Sequence, residues 1–269
     1  MFGISTKILA ALLFLGVAHA NMIQAPPPHT GGTGCSGVGP AFGLTCDASL
    51  SDEFNGTSLD PTKWVICDEC LGPPPTVGSG FATLNNPPQS GSIDKGSGFD
   101  ATSNLIPPAP NYYEIRIRFT GDNGNSSIWA ITDKLNDPRC ALFGSCFSAP
   151  GDKTEIDLVE GSFAGTNEEQ NYIKWNCISD VYPYQHCSQV SQNTSNGGVV
   201  VDGNWHTLGY HRYFGSSGCA ADFYIDGNLQ VSRTGFGDEL CTLPQTPTYW
   251  AQGVSSNAII DIDYVHNFH

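Results

Sequence analysis

Positive charge is scarce in this chain. Its 269 residues hold 11 Lys and Arg against 26 Asp and Glu, a formal net charge of −15, which becomes −16 if Lys7 is lost with a cleaved leader. A surface of that sign repels nucleic acid and anionic membranes, so neither is an expected partner. It suits a neutral substrate, or an acidic medium in which some carboxylates carry protons. Apolar runs of membrane length are also missing after residue 20, and the C-terminal DYVHNFH is no lipid-anchor tail, so no membrane attachment is expected. No amphipathic helix of useful length is legible. G-x-S-x-G occurs nowhere, and the literal G-x-G-x-x-G from Gly32 to Gly37 has no strand before it and no helix after it. Serine-elbow chemistry and dinucleotide binding are thereby set aside.

Present instead are the marks of export. Met1 to Ala20 carries a lone Lys7, the apolar run ILAALLFLGVA and a small-residue ending, Ala18-His19-Ala20, the layout of a cleaved secretory signal. All 10 cysteines follow it. An even number in an oxidising compartment makes up to five disulfides the default. Cys67-Asp-Glu-Cys70 has no second pair at zinc-finger spacing, so a disulfide is expected there and no metal is assigned. Three sequons, at Asn55, Asn125 and Asn193, agree with a secreted, extracellular protein, each marking only a possible glycan site. Residues 21–46, rich in Pro, Gly and Thr, read as a flexible arm. Residues 47–269 are long enough for one large domain with a substantial core.

Within that domain short β-like runs alternate with turn clusters. Asp60 to Trp64 reads as one helical turn with Pro61 at its first position. Strands are expected around GFATLN (80–85), NYYEIRIRF (111–119), SSIWAIT (126–132), KTEIDLVE (153–160), NYIKWN (171–176), NWHTLGYHRY (204–213), ADFYIDG (221–227) and AIIDIDYV (258–265). In YEIRIRF alternation puts Tyr113, Ile115, Ile117 and Phe119 on one face and Glu114, Arg116 and Arg118 on the other. In the last strand it sets Ile260, Ile262 and Tyr264 against Asp261, Asp263 and Val265. Many short strands without helices point to an all-β sandwich.

The segment TEIDLVEG, 154–161, concentrates Glu155, Asp157 and Glu160 in a chain that is only 14% charged. On a regular strand Glu155 and Asp157 share a face and Glu160 takes the other. A β-bulge near Leu158 and Val159 would return Glu160 to the face of the first two acids. Carboxylates that close push their pKa values apart, which acid/base catalysis exploits. The plainer reading is a half-exposed strand whose acids are solvated and discourage edge pairing. Spacing alone does not choose between them.

EIDLVE resembles the E-x-D-x-x-E signature of glycoside hydrolase family 16, the laminarinases and mixed-linkage β-glucanases. Flanking segments match that family's layout in order: SDEFNGTSLDPTKW (51–64) its opening, YYEIRIRF the strand before the catalytic one, WHTLGYHRYFGSSGCAADFYIDG (205–227) its later hairpin, and IDYVHNFH its closing strand. The resemblance spans about Leu50 to His269. It implies a concanavalin A-like β-jelly-roll sandwich of two curved antiparallel sheets, with a glycan cleft across the concave one. It further implies that Glu155 is the nucleophile, Glu160 the general acid/base, and Asp157 the residue that sets the nucleophile's protonation. Retaining hydrolysis needs the two catalytic carboxyls roughly 5–5.5 Å apart. The charged Glu155 and Asp157 are expected to raise the pKa of Glu160 and keep it protonated.

Where the family carries a Trp-Pro with a second tryptophan close by, this chain has SSIWAITD, and a loop with Cys140 and Cys146 follows; specificity is what that departure touches. Trp129 and Trp175, near the catalytic strand in sequence, are subsite candidates, although tryptophans in sandwiches are more often core. Trp64, Trp205 and Trp250 are assigned to packing or rim. Arg116 is a candidate for lining the cleft or pairing with its acids, against the alternative of a solvated sheet face. His206 and His211 fall on opposite faces of one strand and make no simple metal pair. The expected activity is that of a secreted, monomeric endo-β-1,3(4)-glucanase without metal or cofactor, with a neutral β-glucan as its polysaccharide substrate. The alternatives are a transglycosylase on cell-wall glucan and a non-catalytic glycan-binding protein on the same fold.

Overall fold

The structure is a computed structural model that describes residues 35, 42–66, 72–86, 96–102, 105–120, 124–132, 151–162, 169–177, 187–195, 202–236, 239–253 and 258–269. Within these the chain forms β1 (Trp64–Ile66), β2 (Thr76–Gly78), β3 (Phe81–Asn86), β4 (Gly96–Ala101), β5 (Asn111–Thr120), β6 (Gly124–Thr132) and β7 (Gly151–Ser162). It continues through β8 (Glu169–Cys177), β9 (Cys187–Ser195), β10 (Trp205–Gly215), β11 (Gly218–Ile225), β12 (Asn228–Phe236), a one-turn helix α1 (Glu239–Thr242), β13 (Gln245–Gly253) and β14 (Ala258–Phe268). Two seven-stranded sheets result. The front sheet has the order β1-β4-β13-β6-β7-β8-β9 and the back sheet β12-β11-β10-β5-β14-β3-β2. Pairing is antiparallel throughout, and the fold is the expected all-β jelly-roll sandwich.

Alternation decides which faces meet. On β5 Tyr113, Ile115, Ile117 and Phe119 enter the core, joined by Leu208 and Tyr210 of β10, Phe223 and Ile225 of β11, and Ile260 and Ile262 of β14. The front sheet answers with Phe99, Tyr249, Ala251, Ile156, Leu158 and Val159. Trp64 lies edge-on to Phe99 at 5.1 Å and to Tyr249 at 5.6 Å. Two hydroxyl bonds tie the sheets together: the buried Tyr113 and Tyr249 hydroxyls meet, and Tyr210 donates to Gln245 Oε1 at 3.2 Å. A hydroxyl in a dry core is costly unless paired, so these contacts fix where β13 sits over the back sheet. Asp60 to Trp64 forms the expected single turn, with Trp64 N donating to Asp60 O at 2.9 Å and Asp60 Oδ1 capping Thr62 N.

The last strand departs from simple alternation. Ile262 pairs with Ile117 but Tyr264 pairs with Arg116, so Asp263 is bulged. Val265 therefore enters the core, and Tyr264 turns to the back sheet's outer face, where it donates to Glu114 Oε1 at 2.8 Å. The arm's last residues also depart from expectation. Thr45 and His269 exchange both backbone hydrogen bonds and Asp47 N donates to Asn267 O, while Phe42 stacks on His211 at 3.8 Å. Pairing to the free end of β14 satisfies backbone groups that a flexible arm would leave to water.

On that outer face Tyr112 crosses directly over Gly209, where an added Cβ would lie 2.0 Å from its hydroxyl oxygen. Tyr112 is 3% exposed, so its ring has little room to retreat. Gly209→Ala is expected to cost about 1–3 kcal/mol by overpacking, read as a fall in the urea midpoint.

Asp226 and Gly227, both at positive φ, 50° and 74°, form the two-residue turn between β11 and β12, as an Asp-Gly hairpin should. Asp226 also holds His206: its Oδ2 lies 2.7 Å from Nδ1, and Asp202 Oδ1 lies 3.0 Å from Nε2. These bonds, that from Asp226 foremost, outweigh burial and raise the His206 pKa to about 9. Its folded pKa thus exceeds the ordinary 6.5, so the stabilisation is fully present below pH ~6.5 and is lost as pH rises through about 9. Unfolding free energies from urea titration at pH 6 and pH 9.5 should differ by roughly 1–2 kcal/mol more in wild type than in His206→Gln, a figure discounted for the water around Asp202.

Candidate active site

β7 occupies the interior of the front sheet, paired with β6 on one side and β8 on the other. Against β6, Ile128 pairs with Val159 and Trp129 with Asp157, so the ladder skips Leu158. Ile156, Leu158 and Val159 are all in the core. Two consecutive core residues are possible only because the bulge repeats a face. Backbone parity then puts position 160 back on the face of positions 155 and 157. Asp157, between them, is fully buried. The side chains of Glu155 and Glu160 lie outside the described residues.

Register extends the same face across the sheet. Position 129 is opposite Asp157, and position 175 is opposite Lys153, two residues before Glu155 and of the same parity. Both expected subsite tryptophans therefore occupy backbone positions on the acid-bearing face, one on each side of β7; their side chains are likewise outside the described residues. A third tryptophan position joins them. Tyr249 and Ala251 are buried in the core, so position 250 takes the opposite face. It pairs with Ser127, which pairs with Glu160. Two interstrand spacings set it about 10 Å from the Glu160 backbone. Trp250, assigned from sequence to packing or rim, was findable from the alternation in PTYWAQ, but Pro247 and the weak apolar content hid the strand.

Arg116 does not belong to this group. It lies on β5 of the back sheet, on the face turned away from the core, at parity opposite Ile115 and Ile117. Arg116 is 4% exposed, and its guanidinium pairs with Asp263 and lies 5.1 Å from the Trp205 ring centroid. The whole sandwich separates it from the acid-bearing face, so the arginine anchors the β14 bulge instead of lining a cleft. Arg118 likewise donates to Asp261 at 2.6 Å and lies over the same indole. His206 and His211 take opposite faces of β10, as expected. Among the described residues no group of His, Cys, Asp and Glu could hold a metal ion.

Neither a protein-family model nor a curated protein sequence matches the chain. Solved structures do match. The endo-1,3-beta-glucanase of Streptomyces sioyaensis superposes with a TM-score of 0.59 at 13% identity, covering 87% of this chain and 99% of the other. The chain has the fold of these enzymes. The laminarinase catalytic domain of Thermotoga petrophila RKU-1 gives 0.55 at 13% identity over 84% of this chain and 98% of that one. The beta-porphyranase of Bacteroides plebeius gives 0.55 at 15% over 84% and 91%. At such identities the likeness carries the jelly-roll architecture, the one that resemblance to glycoside hydrolase family 16 implied. Cys35–Cys46 and Cys219–Cys241 are disulfide-bonded; Cys67, Cys70, Cys140 and Cys146 lie outside the described residues, as do residues 1–34, where the leader was expected.

Proposed function

We propose that the chain is a secreted, retaining endo-glycosidase of the glycoside hydrolase 16 type that cleaves a neutral β-1,3- or mixed-linkage glucan. The observation that carries this reading is the bulge at Leu158, which lets one rigid strand present positions 155, 157 and 160 on one face. Glu155, as carboxylate, attacks the anomeric carbon while Glu160 protonates the departing glycosidic oxygen. A glycosyl ester on Glu155 results. Glu160, now a carboxylate, takes a proton from water, and the resulting attack at the same carbon frees Glu155 with net retention. Asp157, buried beside the nucleophile, holds it in its reactive protonation state. Trp129, Trp175 and Trp250 would offer aromatic faces to successive sugar rings across the strands. The net charge of −15 favours a neutral polymer over a sulfated one.

Reducing-sugar release from laminarin, lichenan, agarose and xyloglucan tests this. Release from laminarin or lichenan is expected. Release from agarose alone would move the substrate to a galactan, whereas binding without release would leave a glycan-binding protein.

A further inference from the structure

We propose that Asn55 carries an N-linked glycan, placed beside the free edge of the front sheet. The three sequons are equivalent as patterns, but the structure separates them. Asn125 lies within β6, paired to Ser162 on one side and Gln252 on the other. Asn193 lies within β9, paired to Asn171. Asn55 is outside any strand, and Asn55, Gly56, Thr57 and Ser58 are all exposed.

The turn is built to face outward. Phe54 adopts a left-handed φ of 47°, which a residue with a Cβ takes only when the surroundings compensate. Here its ring is 2% exposed, packed against Trp64 and Phe99, and its backbone N donates to Asp52 Oδ1 at 2.9 Å. With Phe54 pinned inward, the next residue is turned to solvent. Gly56 supplies the backbone freedom that a transferase needs to bend the acceptor. A cavity of about 500 Å³, bordered by Asn55, Ser58, Asp60 and Lys63 among others, gives the first sugar room to lie against the protein.

Lys63, which lines the same cavity, immediately precedes β1. β1 is an edge strand, and its Val65 and Ile66 are 47% and 48% exposed. An apolar edge invites pairing with a second copy, and a bulky hydrated chain beside it obstructs that approach. The modification forms a bond from Asn55 Nδ2 to the anomeric carbon of a polyprenyl-pyrophosphate-linked oligosaccharide. The amide gives up a proton, and the lipid pyrophosphate leaves with the bonding electron pair.

The proposal rests on export through a eukaryotic-type secretory route, and the test separates the two. The full chain is secreted from eukaryotic cells, once behind its own leader and once behind a proven heterologous one, and treated with peptide N-glycanase in heavy-oxygen water. The Asn55 peptide is expected to acquire the labelled aspartate, and Asn55→Gln to lower the intact mass by one glycan. Deglycosylated protein should also scatter more light as concentration rises. Secreted protein with an unlabelled Asn55 peptide, behind either leader, overturns the proposal. Failure to secrete with the native leader alone overturns only the leader reading.

Discussion

Glu155→Gln is expected to lower glucan hydrolysis by at least about 10³-fold, because the amide cannot attack the anomeric carbon and no glycosyl ester can form. Thermal unfolding of the variant should stay within about 2 °C of wild type, so lost activity and lost fold are separable. Glu160→Gln distinguishes the two acids. It should be as damaging on glucan, whose leaving oxygen needs a proton, but far less damaging to the first step on an aryl glycoside whose leaving group departs unprotonated. Equal loss on both substrates would reverse or remove the assigned roles. Full activity in Glu155→Gln would discard the mechanism.

Arg212→Met is expected to produce the largest loss of stability, about 4 kcal/mol or more. The Arg212 side chain is fully buried. Its Nε donates to Asn111 Oδ1 at 2.7 Å, Nη1 to Leu240 O at 2.6 Å and Leu243 O at 3.1 Å, and Nη2 to Pro107 O. Burial pushes the guanidinium pKa down, and these oxygens, each offering a lone pair, replace the water it gave up. Removing the donor leaves several buried acceptors unpaired, each worth about 1–3 kcal/mol. Arg212→Lys should recover only part of the loss, since an ammonium cannot span a fork of acceptors set around a planar group. Chemical denaturation of both variants measures this. A loss below about 1 kcal/mol for Arg212→Met would mean that the carbonyls find other donors.

The consequence reaches the acid-bearing face. Leu240 lies within α1 and Leu243 directly follows it, leading into β13 at Gln245, which receives the Tyr210 hydroxyl. The Cys219–Cys241 disulfide fastens the same helix to β11. β13 is thus held at its start by a cation, a hydroxyl and a covalent bond, and five residues further on it carries Trp250 opposite Ser127. Loosening that start would shift a tryptophan position about 10 Å from the Glu160 backbone.

Much of the sandwich could be read from period-two patterns. YYEIRIRF has apolar and charged residues in strict alternation, and its two faces are the core and outer faces observed. The strand expected at 221–227 stops at Ile225, because Asp226-Gly227 takes two positive φ values in succession and turns the chain into β12. The bulge in β7 was only a condition in the sequence, since three acids at that spacing reach one face only if one residue is skipped; the register against β6 met it.

Other features needed the folded chain. GSGFDA of β4 and CSQVSQNTS of β9 alternate too weakly to register as strands. β13 was masked by Pro247, which the sheet tolerates because the β4 ladder begins only at Thr248. Tyr264 and Val265 exchanged faces at a bulge that serves the buried Arg116–Asp263 pair, a contact between residues 147 positions apart. Arg116 looked available for a cleft for the same reason: local alternation says that a residue leaves the core, not which of two outer faces it reaches. Strand order is set by long-range pairing, so the sequence by itself determined the acids, their strand and the alternation of core and surface, whereas only the tertiary structure decided which sheet each strand joined and hence which tryptophans share a face with the acids.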